Sequence, residues 1–183
     1  AFGGRILSDS LSVSNKYINT PNSEIYKKSL FLYGLNCLNS LYNSCICNYL
    51  FIVEGYLDLI AIYDVGFLGI SLLGIGLNEH NINLILKFTN KICFCFDNDK
   101  AGLESFFYSL VKLLKYTLDI KIVFLKKYKD PFSYIENDDK NSLVDELNNL
   151  EDAIKFYIFN KLIGIFSIEN SEFLKVLEIL YLV

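Results

Sequence analysis

The sequence predicts an α/β fold in which a parallel sheet is covered by helices on both faces. Apolar runs too short to be helices, at residues 49–53 and 92–96, alternate with longer helical patterns. The two runs are almost continuously apolar, as in parallel strands that are buried on both sides. Each run is followed by an acidic residue and then by a glycine or small residue. A short basic segment precedes this region and helical patterns follow it, so we expect three parts in the chain.

The first part, residues 1–48, has few regular patterns and is predicted to be the end of a basic subdomain. Residues 3–7 indicate a tight turn into a short strand, and residues 17–20 an extended piece that a proline ends. Residues 24–35 predict a helix, because apolar side chains recur on one face and Gly34 would stop it. A weak helical pattern continues over residues 38–48.

The second part, residues 49–141, carries the alternation of strands and helices. The predicted strands are 49–53, 68–72, 92–96 and 121–125, and the predicted helices are 56–65, 78–88 and 100–115. Strands separated by helices of this length favour a parallel sheet. An acidic, Asn-rich stretch follows Asp130-Pro131 and extends to Asn149. The third part, residues 142–183, begins within it and has helical patterns over 150–163 and 172–183, which indicates the start of a helical subdomain.

Composition limits the class of protein. Of the 183 residues, 52% are hydrophobic and 21% are charged, which excludes a disordered or fibrous chain. The net charge of −4 argues against a general nucleic-acid coat protein. The longest uncharged apolar run, residues 65–77, is shorter than the roughly 18 residues that a membrane span needs. We therefore expect a soluble intracellular protein.

The cysteines and the composition bias add two expectations. No Cys-x-x-Cys pair occurs, and Cys93 and Cys95 alternate along a predicted buried strand, which favours core packing and a reducing compartment over a zinc site. The bias toward Asn, Lys and Ile is typical of an AT-rich genome, such as that of a reduced bacterium or an organelle. The chain contains no methionine, which predicts a fragment of a longer protein.

The acidic residues at the strand ends suggest a metal site. Glu54 follows the first strand of the sheet, and Asp97 and Asp99 follow the third. Carboxyl ends of parallel strands meet in the crevice where open α/β sheets bind ligands. Carboxylates gathered there repel one another unless a cation lies among them, and Mg²⁺ with phosphoryl or nucleotidyl transfer is the simplest chemistry. Asp58 lies one turn into the next helix, and Asp130 follows the fourth strand at the same edge.

Each of these residues also has a purely structural interpretation. Glu54 could be an exposed loop acid, Asp58 a solvated helix residue, Asp99 a helix N-cap and Asp130 a turn residue. The basic residues near this edge could form a phosphate-binding surface or a solvated face; they are Arg5, Lys16, Lys27 and Lys28 before it, and Lys126, Lys127 and Lys129 after it.

Taken together, the motifs resemble the Toprim module, a Rossmann-like metal-binding α/β fold. The resemblance rests on Glu54-Gly55-Tyr56-Leu57-Asp58, the glycine turn at Gly74, and Asp97-Asn98-Asp99-Lys100-Ala101-Gly102. The flanking segments Phe2-Gly3-Gly4-Arg5, Lys16-Tyr17-Ile18-Asn19-Thr20-Pro21 and Lys129-Asp130-Pro131 are similar to those of the bacterial DnaG-type DNA primases. The resemblance covers residues 2 to about 135.

The resemblance implies template-directed synthesis of RNA primers on single-stranded DNA from ribonucleoside triphosphates, by metal-dependent nucleotidyl transfer during DNA replication. It implies a cytoplasmic or organellar protein that uses Mg²⁺ or Mn²⁺, with the zinc module and the helicase-binding region outside this chain. The implied catalytic acids are Glu54, Asp97 and Asp99. The implied metal ligands add Asp58 and Asp130, and the implied nucleotide and template contacts are Arg5, Lys16, Asn19 and Lys28.

The sequence departs from the family pattern at several positions. Phe132 stands where a second acid usually follows the Asp-Pro pair, and Asn98 stands where a glycine usually separates the two aspartates. Ile75 replaces a hydroxyl residue, and Leu30 stands near an expected basic residue. Two alternatives stay open: a non-catalytic Toprim remnant that binds nucleic acid, and a haloacid-dehalogenase-like phosphatase with Asp97 as its nucleophile.

Overall fold

A computed structural model describes residues 2–5, 17–41, 49–74 and 76–164. The chain divides into two compact units, Ala1–Phe31 and Leu32–Val183. The predicted helix over 172–183, Lys16 and Ile75 lie outside the described residues. The domain boundaries predicted after residues 48 and 141 stay a proposal.

The first unit is built on an antiparallel ribbon. Strand β1, Gly3–Arg5, pairs with strand β2, Tyr17–Asn19, with Gly3 opposite Asn19. The backbone N–H of Phe2 donates to the Thr20 hydroxyl at 2.6 Å, which closes one end of the ribbon. One 3-10 turn, Lys28–Leu30, follows.

The second unit is a five-stranded sheet flanked by helices. Its elements are α1 Leu35–Leu41, β3 Leu50–Val53, α2 Tyr56–Asp64, β4 Gly69–Ser71, α3 Glu79–Ile85, β5 Lys91–Phe94, α4 Lys100–Leu113, β6 Asp119–Ile122, α5 Pro131–Glu136, α6 Lys140–Asn148, β7 Glu151–Asp152 and α7 Ala153–Gly164. The strand order is β4-β3-β5-β6-β7. The first four strands are parallel, and β7 pairs antiparallel with β6.

The sheet is buried on both faces. Successive side chains of a strand point to opposite sides, so each central strand contributes to two apolar clusters. Ile52 and Phe94 pack with α3, α4 and α7 in one apolar cluster. Phe51 and Cys93 pack with α2, α5 and α6 in the other. This two-sided burial explains why the strands are continuous apolar runs. Cys93 and Cys95 are fully buried, as predicted.

The predicted α/β fold with helices on both faces is confirmed, and the predicted strands and helices between residues 49 and 125 all occur within a few residues of their expected bounds. The sheet is mixed rather than wholly parallel, because the short antiparallel strand β7 occupies residues expected to begin a helix. Two further helices, α5 and α6, lie in the stretch described only as acidic and Asn-rich.

The predicted helix over residues 24–35 is wrong. The described residues there form a bend at Glu24 and Ile25, the 3-10 turn and an isolated β-bridge at Tyr33, and α1 begins only at Leu35. Gly34 precedes this helix instead of ending one, with a φ of +91°. A Cβ at this position would lie 2.5 Å from the Leu59 side chain, so the close approach of α2 requires the glycine.

Among the described helices, none combines the length and the apolar character needed to cross a membrane.

Candidate active site

Glu54 follows the last residue of β3, where a buried strand gives way to the turn before α2. The hydroxyl of Ser71, at the end of the neighbouring strand β4, donates to the main-chain carbonyl of Glu54 at 2.9 Å. Ser71 is fully buried. The Oε1 atom of Glu54 is buried and has no hydrogen-bond partner among the described residues. The strand therefore ends on a carboxylate with an unused acceptor.

Asp97 and Asp99 lie on the short loop between β5 and α4. Asp99 is the N-cap of α4, and its Oδ1 accepts the N–H of Gly102 at 2.9 Å. The predicted capping role of Asp99 is therefore confirmed. Gly102 is required by the packing, because a Cβ there would lie 2.1 Å from the carbonyl oxygen of Asp97. The side chain of Asn98 holds this loop next to the end of the β6 segment, because its Nδ2 donates to the Leu125 carbonyl at 2.7 Å.

The ammonium of Lys129 lies between the two aspartates. Its Nζ is 3.0 Å from Oδ2 of Asp97 and 2.9 Å from Oδ2 of Asp99. These are charge-assisted contacts of near-ideal length. The carbonyl of Lys129 also accepts the N–H of Asn98 at 2.8 Å, which joins the loop after β6 to the aspartate loop. One cation thus bridges both carboxylates.

Asp58 and Asp130 are two further acids of this region, and the charge of Asp130 acts on the Asp58 carboxylate. Asp58 is 9% exposed, and its Oδ2 accepts the N–H of Gly55 at 3.0 Å, which caps the start of α2. Asp130 is the N-cap of α5, accepting from the N–H of Ser133 at 2.8 Å and from its hydroxyl at 2.6 Å. Both carboxylates therefore have structural partners. The interpretation of Asp58 as a solvated helix residue is wrong, because it is buried.

The acids influence one another through their charges. Burial, and then the charge of Asp97, raises the pKa of Glu54 from 4.5 to about 7. Burial, and then the charges of Asp130 and Asp97, raises the pKa of Asp58 from 3.8 to about 7. Burial also raises the pKa of Asp97, against the influence of Lys129. The carboxylates therefore repel one another, and a bound cation would reduce this repulsion.

The residues fit a divalent metal ion, although some movement is needed. In the described part of the chain, no three acidic, His or Cys side chains converge closely enough to hold an ion as they stand. Three observations favour the fit: the buried Oε1 of Glu54 lacks a partner, two aspartate oxygens already converge on one cation, and the carboxylates raise one another's pKa values. Glu54, Asp97 and Asp99 are the residues that would hold the ion.

The predicted nucleotide- and template-binding residues belong to the first unit. Asn19 lies in β2, and Lys28 lies in the 3-10 turn, where its backbone N–H donates to Oδ1 of Asn22 at 2.9 Å. Arg5 lies in β1, but its side chain is outside the described part, as is the whole of Lys16. Their roles stay predictions.

Comparison with known proteins connects this site to a family. A model described as "Toprim-like" matches residues 51–135, and one described as "DNA primase catalytic core, N-terminal domain" matches residues 1–39. A DNA primase from Campylobacter jejuni is 33% identical over 171 residues, covering 93% of this chain. Over most of its length this chain is similar to the DnaG-type DNA primases.

Solved structures of DnaG-type primases have the same fold. A DnaG primase catalytic domain bound to ssDNA matches with a TM-score of 0.72 and 28% identity, over 87% of this chain and 50% of that one. The zinc-binding and RNA polymerase domains of the Aquifex aeolicus primase match with a TM-score of 0.67 and 27% identity, over 89% and 40%. The Toprim fold is thereby confirmed, and the phosphatase alternative is not favoured.

The match is to part of a longer protein. The chain spans 27% of the length of the Campylobacter jejuni primase and half of the ssDNA-bound catalytic domain.

The sequence did not indicate the roles that two residues of the site have in the structure. Lys129 was grouped with two neighbouring lysines, and its distinguishing feature, a place directly before Asp130 at the strand-end edge, gave no indication that it would bridge two aspartates. Ser71 could have been found, since it is the one polar residue in the apolar stretch 67–73. A buried polar side chain near a strand end implies a specific hydrogen bond.

Proposed function

We propose that this chain supplies the metal-binding catalytic core of a primase that synthesises short RNA primers on single-stranded DNA. The observation that carries the proposal is that Glu54, directly after β3, and Asp97 and Asp99, shortly after the adjacent strand β5, lie at the same edge of the sheet. The parallel pairing of these strands places Phe51 beside Cys93, so both strands end at the same edge of the sheet. Two aspartate oxygens there already share one cation.

Each side chain has a defined task in this proposal. Glu54, Asp97 and Asp99 would hold Mg²⁺ or Mn²⁺, which would activate the attacking 3′-hydroxyl and stabilise the departing pyrophosphate. Asp99 is fixed by its capping bond to Gly102, and Asp97 by the packing of its carbonyl against the same glycine. Asp58 and Asp130, which cap helices, are the further metal ligands that we propose, and they add negative charge to the site.

The reaction implies the partners. The template is single-stranded DNA and the substrates are ribonucleoside triphosphates, with Arg5, Lys16, Asn19 and Lys28 as the proposed contacts to nucleotide and template. A zinc module and the contacts to a replicative helicase are proposed to lie on other parts of the protein. The compartment proposed is the bacterial cytoplasm or an organelle stroma.

Incorporation of ribonucleotides on a single-stranded DNA template tests the proposal. The full-length protein containing this chain is assayed with Mg²⁺ or Mn²⁺, as wild type and as Asp97→Asn. We expect Asp97→Asn to lower incorporation by at least about 100-fold, because it removes one charged ligand of the metal ion. Asp145→Asn is the matched control, since Asp145 is exposed on α6, and it should retain wild-type activity. Unchanged incorporation by Asp97→Asn would exclude the proposed site.

A second function, nucleic-acid binding without catalysis, is favoured by one observation. Phe132 stands where the family usually has an acid, and its backbone N–H faces the Asp58 carboxylate as a hydrogen-bond donor. The site therefore has one carboxylate fewer than the family pattern. Wild-type protein that binds single-stranded DNA but incorporates no ribonucleotide would support this second function.

A further inference from the structure

The salt bridge between Lys129 and the two aspartates has an unusual geometry for a surface ion pair. Oδ2 of Asp97 and Oδ2 of Asp99 both point at one Nζ, at 3.0 and 2.9 Å. The remaining oxygen Oδ1 of Asp99 is engaged with the N–H of Gly102. Lys129 therefore contacts Oδ2 of Asp99, the oxygen that is not used in capping the helix. The ammonium therefore lies where a single cation can contact the side chains of both Asp97 and Asp99.

The backbone of the loop that carries Lys129 is held by hydrogen bonds to side chains of α5 and α6. The hydroxyl of the buried Tyr134 accepts the N–H of Lys127 at 3.1 Å and donates to Oε2 of Glu146 at 2.6 Å. The same Glu146 oxygen accepts the N–H of Lys126 at 2.8 Å. The carbonyl of Lys129 accepts the N–H of Asn98. The main chain is thus fixed beside the aspartates.

The side chain of Lys129, in contrast, can move away from the aspartates into solvent. It is 52% exposed, and its ammonium is at the end of a flexible four-carbon stem. Lys127, in the same loop, pairs with Asp139 instead, at 2.5 Å. Only one lysine of this loop therefore reaches the aspartates in the described structure.

We infer that Lys129 is an internal counter-ion of the metal site: its ammonium holds Asp97 and Asp99 together when no metal is bound, and the first divalent ion displaces it. Lys129 is a positioning residue in this scheme. The inference rests on the proposed function, because it takes Asp97 and Asp99 as metal ligands. It goes beyond that function by assigning a competitor for the metal to this chain.

Electrostatics and geometry make the exchange favourable. A divalent ion needs carboxylate oxygens at about 2.1 Å, so it would lie between the same two oxygens and repel an ammonium left beside it. The Lys129 side chain is 52% exposed and that of Asp99 40%, and ion pairs between such groups contribute little free energy, so the lysine is readily displaced. The lysine nevertheless lowers the repulsion between two adjacent carboxylates in the metal-free protein.

Binding of Mn²⁺ to the full chain without nucleotide, measured by titration calorimetry, tests the inference. We expect Lys129→Gln to bind Mn²⁺ roughly five- to tenfold more tightly than wild type, because two weak ion pairs no longer compete. Lys129→Arg keeps the charge and should bind close to wild type. Lys127→Gln is the matched control, and it should not change the affinity.

The outcomes separate this inference from the proposed function. If wild type binds Mn²⁺ and Asp97→Asn does not, but Lys129→Gln binds no more tightly than wild type, the metal site stands and the counter-ion role is wrong. If wild type shows no binding that depends on Asp97, both are wrong.

A measurement on the wild type tests the displacement of Lys129 without comparing the metal affinities of variants. In NMR spectra of protein labelled with ¹⁵N at its lysines, the side-chain resonance that is absent from Lys129→Arg is assigned to Lys129. Addition of Mg²⁺ should move it to the position typical of solvated lysines and leave the Lys127 resonance in place. A Lys129 resonance indifferent to Mg²⁺ would also overturn the inference.

Discussion

The hydroxyl of Ser71 donates a hydrogen bond of 2.9 Å to the main-chain carbonyl of Glu54. It also accepts the N–H of Leu73 at 3.3 Å. The parallel ladder between β3 and β4 ends at Val53 and Ser71. This side chain therefore continues the connection between the strands for one further residue, up to the proposed metal ligand. The position of the Glu54 carboxylate thus depends on a residue of the neighbouring strand.

Replacing Ser71 with alanine should destabilise the protein and weaken metal binding. The substitution leaves a carbonyl and an N–H without their partner in a buried environment, which costs about 1–2 kcal/mol. Chemical denaturation measures the free energy of unfolding, and Mn²⁺ titration measures the second effect. Ser105→Ala, at a half-buried position on α4, should change the unfolding free energy by less than about 0.5 kcal/mol. Equal stability of the two variants would contradict the role of Ser71.

Replacing Gly102 with alanine should destabilise the protein, whereas this substitution usually stabilises a helix. Alanine normally stabilises a helix by about 1 kcal/mol relative to glycine. Here its Cβ would lie 2.1 Å from the Asp97 carbonyl oxygen, so the loop must move. We expect a loss of about 2 kcal/mol in unfolding free energy and a loss of Asp97-dependent Mn²⁺ binding. Ala101→Ser, at the exposed neighbouring position, is the control, and a stabilised Gly102→Ala would disprove the packing argument.

Replacing Tyr134 with phenylalanine should release the loop that carries Lys129. The Tyr134 hydroxyl is bonded to Glu146 and to the backbone of Lys127 and Tyr128, and burial raises its pKa to about 12. Loss of these bonds should cost about 1–3 kcal/mol and speed hydrogen exchange of the amides of residues 126–130. Tyr108→Phe, at an exposed tyrosine, should leave both unchanged. Unaltered exchange in Tyr134→Phe would show that the hydroxyl does not anchor the loop.

Stability of the metal-free protein should fall as the pH rises through the range 4.5 to 7. The folded protein holds the protons of Glu54 and Asp58 up to about pH 7, whereas their usual pKa values are 4.5 and 3.8. A pKa raised on folding stabilises the folded state below the unfolded value, and this contribution is lost as the pH passes the folded one. We expect a loss on the order of 2 kcal/mol, after allowance for partial solvent exposure.

Denaturation in a chelator between pH 4 and 8 measures this loss. Glu54→Gln should reduce the pH dependence, whereas Glu104→Gln, at an exposed helix position, should not. Saturating Mg²⁺ should restore stability at pH 8. A stability that increases steadily from pH 4.5 to 7 would contradict the raised pKa values.

The part of the fold around the acids could be predicted because local pattern and tertiary structure agree there. Runs such as Phe51–Val53 and Ile92–Phe94 are apolar at every position, which only burial on both faces explains. Asp99 and Gly102 indicate a helix start in the sequence and form one in the structure. The strand-end position of Glu54 followed from the same pattern.

Other features depend on contacts that the sequence does not show. Gly34 was interpreted as a helix stop, but the close approach of Leu59 to its backbone explains the glycine. Helix α6 is held by Leu143 and Leu147, which are too few to give a clear apolar pattern among polar residues. The pairing of Lys129 with Asp97 joins loops 32 residues apart in the chain (129 − 97). Neither composition nor periodicity reports such a contact.

We propose that a single divalent ion binds between Glu54 and the pair Asp97 and Asp99. Anomalous diffraction from crystals soaked in Mn²⁺ tests it most directly. We expect an anomalous peak with carboxylate oxygens of Asp97 or Asp99 and of Glu54 within about 2.5 Å, and with the Lys129 ammonium moved away. Saturating Mn²⁺ that gives no peak between these carboxylates, with Lys129 still bridging the two aspartates, would contradict it.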